Sequence, residues 1–62
     1  MKTSFLERQC IDLAIAYDRP APYAQEIRAA EALCLVACGV PLNSENRDLV
    51  IDECLEKGRK LK

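Results

Sequence analysis

Histidine and tryptophan are absent from this 62-residue chain, and its aromatic content is two tyrosines and one phenylalanine. Without histidine there is no side chain whose ordinary pKa lies near neutrality, and no Ser–His or Cys–His pair can be assembled. Catalysis is therefore not expected. Long hydrophobic runs are also missing: the longest, Ala32 to Cys38, falls far short of the ~20 residues that span a bilayer. No apolar stretch of signal-peptide type follows the opening residues, so the expected location is the cytoplasm, with no membrane partner. A dominant charge is missing too. Nine basic and ten acidic residues leave a formal net charge of -1, so no bulk field holds the chain on nucleic acid or anionic lipid, and nucleic acid is not an expected partner.

Half of the residues are hydrophobic and 31% are charged, a balance that describes a globular chain rather than a disordered tail. The length allows one domain, residues 1–62. A domain this small buries only about 60% of the surface its unfolded chain exposes. Chains of this size are usually reinforced by disulfides, a metal or a partner subunit. No internal repeat or low-complexity segment interrupts the sequence.

The local signals predict an all-α fold of three helices, at about 4–17, 22–38 and 44–57. Ser4 and Glu7 have the spacing of a capping box, in which each satisfies the other's backbone N–H. Leu6, Cys10, Leu13, Ala14 and Tyr17 then fall on one face of a 3.6-residue period, with Ile11 and Ile15 on the other side beside Arg8. Alternation of Ile11, Leu13, Ile15 and Tyr17 with Asp12, Ala14, Ala16 and Asp18 also fits a strand, but the cap and the alanines favour helix.

Arg19-Pro20-Ala21-Pro22 stops the first helix, and Pro22 suits the first turn of the second. Gly39 is placed as its left-handed stop. Tyr23, Ile27, Ala30, Cys34, Ala37 and Cys38 form the stripe of that helix, while Leu35 and Val36 lie outside it, so the last two turns need burial on more than one side. Asn43 or Ser44 caps the third helix, and Gly58 is its expected stop, leaving residues 58–62 as a basic tail expected to fray. Val50, Ile51, Cys54 and Leu55 make its inner face.

Four cysteines, Cys10, Cys34, Cys38 and Cys54, are the low-ranked metal candidates. Cys34 and Cys38 share a helix face, but the knuckle spacing of two intervening residues is missing. All four fall on apolar stripes, and free cysteine is among the most buried residue types. The favoured reading is reduced, buried core residues, with no metal and no cofactor. Asp48, Asp52 and Glu56 are spaced i,i+4, yet paired-acid sites sit in clefts, and a solvated helix face is the simpler account.

A helix-turn-helix is the strongest competitor, with Ala29 to Cys38 as first helix, Gly39-Val40 as a turn that resembles the motif, and Leu42 to Lys57 as recognition helix. Glu45 occupies the place of an apolar anchor, and the would-be recognition helix carries five acids against Arg47, so phosphates are repelled.

The favoured architecture places the second helix between the other two and a neighbouring copy, as a homodimer built on Ile11, Ile15, Leu35 and Val36. The favoured function is a non-catalytic protein-protein interaction module, an adaptor or inhibitor. Its partner-binding residues are Glu45, Asp48, Leu49, Asp52, Glu53 and Glu56, with Leu49 the apolar residue among carboxylates. A DNA-binding regulator is the alternative, and a cysteine-based metal or redox sensor the third reading. In general type, a short helical chain without a catalytic signature resembles the accessory proteins of phages and other mobile elements.

Overall fold

The computed structural model describes residues 3–62, which form three helices: α1 (Phe5–Asp18), α2 (Ala24–Cys38) and α3 (Arg47–Leu61). No strand occurs among the described residues. The stretch after Ile11 is helical because its start is fixed. Ser4 Oγ accepts from the Glu7 N–H at 3.1 Å, and Glu7 Oε1 accepts from the Ser4 N–H at 3.0 Å. With two otherwise unpaired donors satisfied, the alanine-rich sequence continues as helix rather than strand.

The second helix begins at Ala24, two residues later than the Pro22 signal implied, because Tyr23 is extended (φ -99°, ψ 128°) and serves as N-cap. Arg19 holds this corner. Its guanidinium lies 5.0 Å from the centre of the Tyr23 ring, and its Nη1 donates to Glu26 Oε2 at 2.6 Å. At the other end Gly39 takes φ 70°, and its N–H and that of Val40 reach back to the last carbonyls of α2. A left-handed residue closes the helix there as expected.

The expected cap at Asn43 or Ser44 is replaced by a later start. Ser44 closes a turn on the Pro41 carbonyl (3.0 Å) and its Oγ accepts from the Asn46 N–H (3.2 Å), so Asn46 becomes the N-cap and α3 opens at Arg47. Nor does α3 stop at Gly58. It runs on to Leu61, with the Lys62 N–H bonded to the Gly58 carbonyl at 3.0 Å. Arg59 donates to Asp18 at 2.8 and 3.1 Å, and Lys62 Nζ lies 3.2 Å from the same carboxylate. Gly58 is helical and buried; a β-carbon there would overlap the Cys10 carbonyl and touch the Ala14 β-carbon at 3.1 Å. Its missing side chain lets α3 approach the α1 backbone.

That approach changes the expected layering. The central helix is α1, which packs on both others, while α2 and α3 touch each other least. The result is a flattened body with extents of 30 × 28 × 15 Å. The core consists of Cys10, Leu13, Ala30, Cys34, Leu35, Ile51 and Cys54, with Leu6, Tyr17, Val40, Val50 and Leu55 packed around it. Leu35 was expected at a contact between copies; it is 0% exposed, because the inward stripe of α2 runs through Ala30, Cys34 and Leu35 rather than toward Tyr23 and Ala37. Its neighbour Val36, a further 100° around the helix, is 65% exposed.

Candidate functional site

The outer surface of α3 follows from helical geometry. With Ile51 and Cys54 buried on α1, residues 49, 52, 53 and 56 are turned outward on a common face. Leu49 is 65% exposed, and Asp48, Asp52, Glu53 and Glu56 are exposed around it. Glu45 is exposed as well, but it lies in the turn before the helix. Asp48 meets Arg47 Nη1 at 3.3 Å. Among the described residues, Glu45, Asp52, Glu53 and Glu56 have no ion-pair partner, in contrast to Asp12, Asp18, Glu26 and Glu31. Farther along, Glu53, Glu56, Lys57 and Lys60 line a shallow, open depression.

A second polar group links all three helices. Tyr17 of α1 donates its phenol to Glu31 Oε2 at 2.7 Å, and Arg47 of α3 approaches Glu31 Oε1 at 3.5 Å. The hydrogen bond to Glu31, with burial second, raises the Tyr17 pKa from 10.0 to about 12. A phenol that holds its proton this firmly is a poor acid at neutral pH, so the trio acts as a brace between helices. Sequence periodicity placed Tyr17 on the inner face but gave no sign of its partner, because Glu31 looks like any solvent-facing helix carboxylate.

The third group is sulfur. Cys10 from α1, Cys34 from α2 and Cys54 from α3 are buried, with Sγ atoms all within 4.8 Å of one another. Cys38 was expected to be buried with them; it is exposed at the last turn of α2, yet its Sγ lies 3.9 Å from that of Cys54. The Cys34 thiol donates to the Gln9 carbonyl at 3.3 Å. Burial raises the Cys34 pKa to about 11 and is also the main cause of the upward shift at Cys54. The metal-free chain therefore holds these two as thiols at neutral pH, without a ready nucleophile. Sequence spacing missed the convergence because the ligand pattern is distributed over three helices, so no short motif records it.

The expected dimer residues are divided. Ile15 is 48% exposed, Val36 is open, and Ile11 is half-buried. Leu35 is unavailable. No helix among the described residues is long and apolar enough to cross a membrane.

Fold and groups together define a small three-helix domain with a thiol-lined core and one acidic outer face. No known protein family, characterised protein or solved structure matches the chain.

Proposed function

We propose that this chain is a small non-catalytic interaction module, an adaptor or inhibitor, that docks on a basic protein surface through the outer face of α3. The observation behind this is Leu49: a large apolar side chain, 65% exposed, on a face whose carboxylates at Asp52, Glu53 and Glu56 form no ion pair among the described residues. Such charges steer a basic partner, and an apolar residue at the centre of a contact contributes affinity.

DNA binding is less well supported. The connection between α2 and α3, residues 39–46, is about twice as long as the three- to four-residue turn of a helix-turn-helix. Its recognition helix would also present acids to phosphate. The proposal includes self-association, for which Ile15 and Val36 are the exposed candidates.

The test is affinity capture with immobilised wild-type and Leu49→Glu chains, read by mass spectrometry with melting temperature as control. A partner held at low salt by the wild type and lost with Leu49→Glu, at unchanged melting temperature, is the expected result. If both chains retain the same proteins, α3 is not the docking face.

A further inference from the structure

Cys10, Cys34 and Cys54 meet in the core, the exposed Cys38 touches this group at Cys54, and the clustering exceeds what a small core requires. Three of the seven core residues are cysteine, a side chain that buries less apolar surface than the leucine or isoleucine that would fill the same positions. For a chain near the lower size limit of independent folding, this exchange removes hydrophobic stabilisation where it is most needed. Each helix contributes at least one sulfur: Cys10 from α1, Cys34 and Cys38 from α2, and Cys54 from α3. The i,i+4 pair on α2 lets one helix face present two ligands.

From this geometry we propose that Cys10, Cys34, Cys38 and Cys54 form a mononuclear, four-thiolate site for a soft divalent cation of the zinc type, which pins the three helices together. A tetrahedral site with Zn–S bonds of about 2.3 Å separates neighbouring sulfurs by roughly 3.8 Å. The Cys38–Cys54 separation of 3.9 Å matches that edge. Cys10, Cys34 and Cys54, with sulfurs within 4.8 Å of one another, need to contract by about 1 Å at most, and the exposed Cys38 side chain must turn inward to bring its sulfur to Cys10 and Cys34, movements that side-chain rotation supplies. In a polynuclear iron–sulfur cluster the thiolates are spread over more than one iron and so span a wider site, and one ion is indicated.

Sulfur-only ligation selects zinc-like cations over calcium or magnesium, which require oxygen. Four protein ligands leave no open position for water, so the site is structural rather than catalytic. On binding, four thiols become thiolates: four S–H bonds break, four metal–sulfur bonds form and four protons pass to solvent. The product carries two negative charges. The Cys34 thiol gives up its hydrogen bond to the Gln9 carbonyl in this step. Because the sulfurs converge only when all three helices are packed, the binding free energy adds directly to folding.

The experiment uses the full chain, stripped of metal and kept reduced with a phosphine. Zinc is added and measured by elemental analysis after gel filtration, and cobalt(II) serves as a spectroscopic probe of the ligands. One zinc per chain, a melting temperature raised by roughly 10 °C or more in excess zinc, and the intense visible bands and sulfur-to-metal charge transfer of tetrahedral thiolate cobalt are expected.

Cys38→Ser, at the exposed position, keeps the fold testable. It should weaken zinc binding, measured by competition with a chromophoric chelator, by more than the roughly 10–100-fold that loss of an outer-shell partner causes. Failure to retain zinc, or a melting temperature unmoved by it, overturns the proposal. So does the weak spectrum of six-coordinate cobalt, which reports carboxylate binding. A Cys38→Ser chain that binds zinc as tightly as the wild type removes the four-thiolate assignment.

Discussion

Gly58 of α3 rests directly against the main-chain carbonyl of Cys10 in α1, with no room between them for a β-carbon. The neighbour is backbone and cannot rotate aside. Gly58→Ala gains up to ~1 kcal/mol in helix propensity, but overpacking costs typically ~1–3 kcal/mol, and a clash with backbone belongs at the upper end. A net loss is the expected outcome in urea unfolding. If the variant is more stable than the parent, the helices separate freely and the close approach is not a determinant of the fold.

Acid should loosen the same end of the molecule. Hydrogen bonds from Arg59 and then Lys62 hold the Asp18 carboxyl well below its ordinary value of 3.8, at about 2. Folding therefore favours the charged form, and its contribution is complete above pH ~4 and lost as pH falls toward 2. Thermal melts between these limits should decline more steeply for the wild type than for Asp18→Asn. Amide exchange over Arg59 to Lys62 should quicken in the variant at neutral pH. Unchanged exchange there would mean that the last turn of α3 holds without Asp18.

The Tyr17 phenol has the opposite sign. Its pKa is raised from 10.0 to about 12, so folding favours the protonated form. That stabilisation is present below pH ~10 and lost as pH rises through 12. Tyrosinate absorbance should contain a late phase that Tyr17→Phe removes. The same substitution should cost about 0.5–1.5 kcal/mol at neutral pH, the net worth of one hydrogen bond. If the late phase persists in the variant, it does not arise from Tyr17.

Adjacent residues on α2 should behave differently. Leu35→Ala, which empties a fully buried position, should cost roughly 2–5 kcal/mol. Val36→Ala should stay within about 0.5 kcal/mol in a single chain. If copies pair through Ile15 and Val36, Val36→Glu will halve the mass read by light scattering. A wild-type chain that already scatters as a monomer removes the dimer.

The sequence carried those features that local chemistry decides. The Ser4–Glu7 box, the left-handed Gly39 and the inward phase of Leu13, Ile51 and Cys54 are all set by spacing within a turn or two, and each stands where the residues place it. What escaped depends on approach between segments distant in sequence. Gly58 reads as a helix stop until α1 is laid against it, and Glu31 reads as solvated until Tyr17 reaches it. The cysteines likewise lack a motif because their relationship exists only in three dimensions. On α3, exposure of Leu49 follows from the helical period alone, whereas the late start at Arg47 depends on the turn that Ser44 makes with Pro41.

The pairing of α1 with α3 has a consequence for the order in which the chain acquires structure. The first helix packs on the last at least as extensively as on its neighbour α2. Closing so wide a loop is slow compared with forming a helical hairpin. The face of α1 that meets α3, at Cys10 and Ala14, stays uncovered until residues 47–61 join it. The α1–α2 hairpin can therefore form first, and the docking of α3, which seats Gly58 on the Cys10 carbonyl, completes the fold.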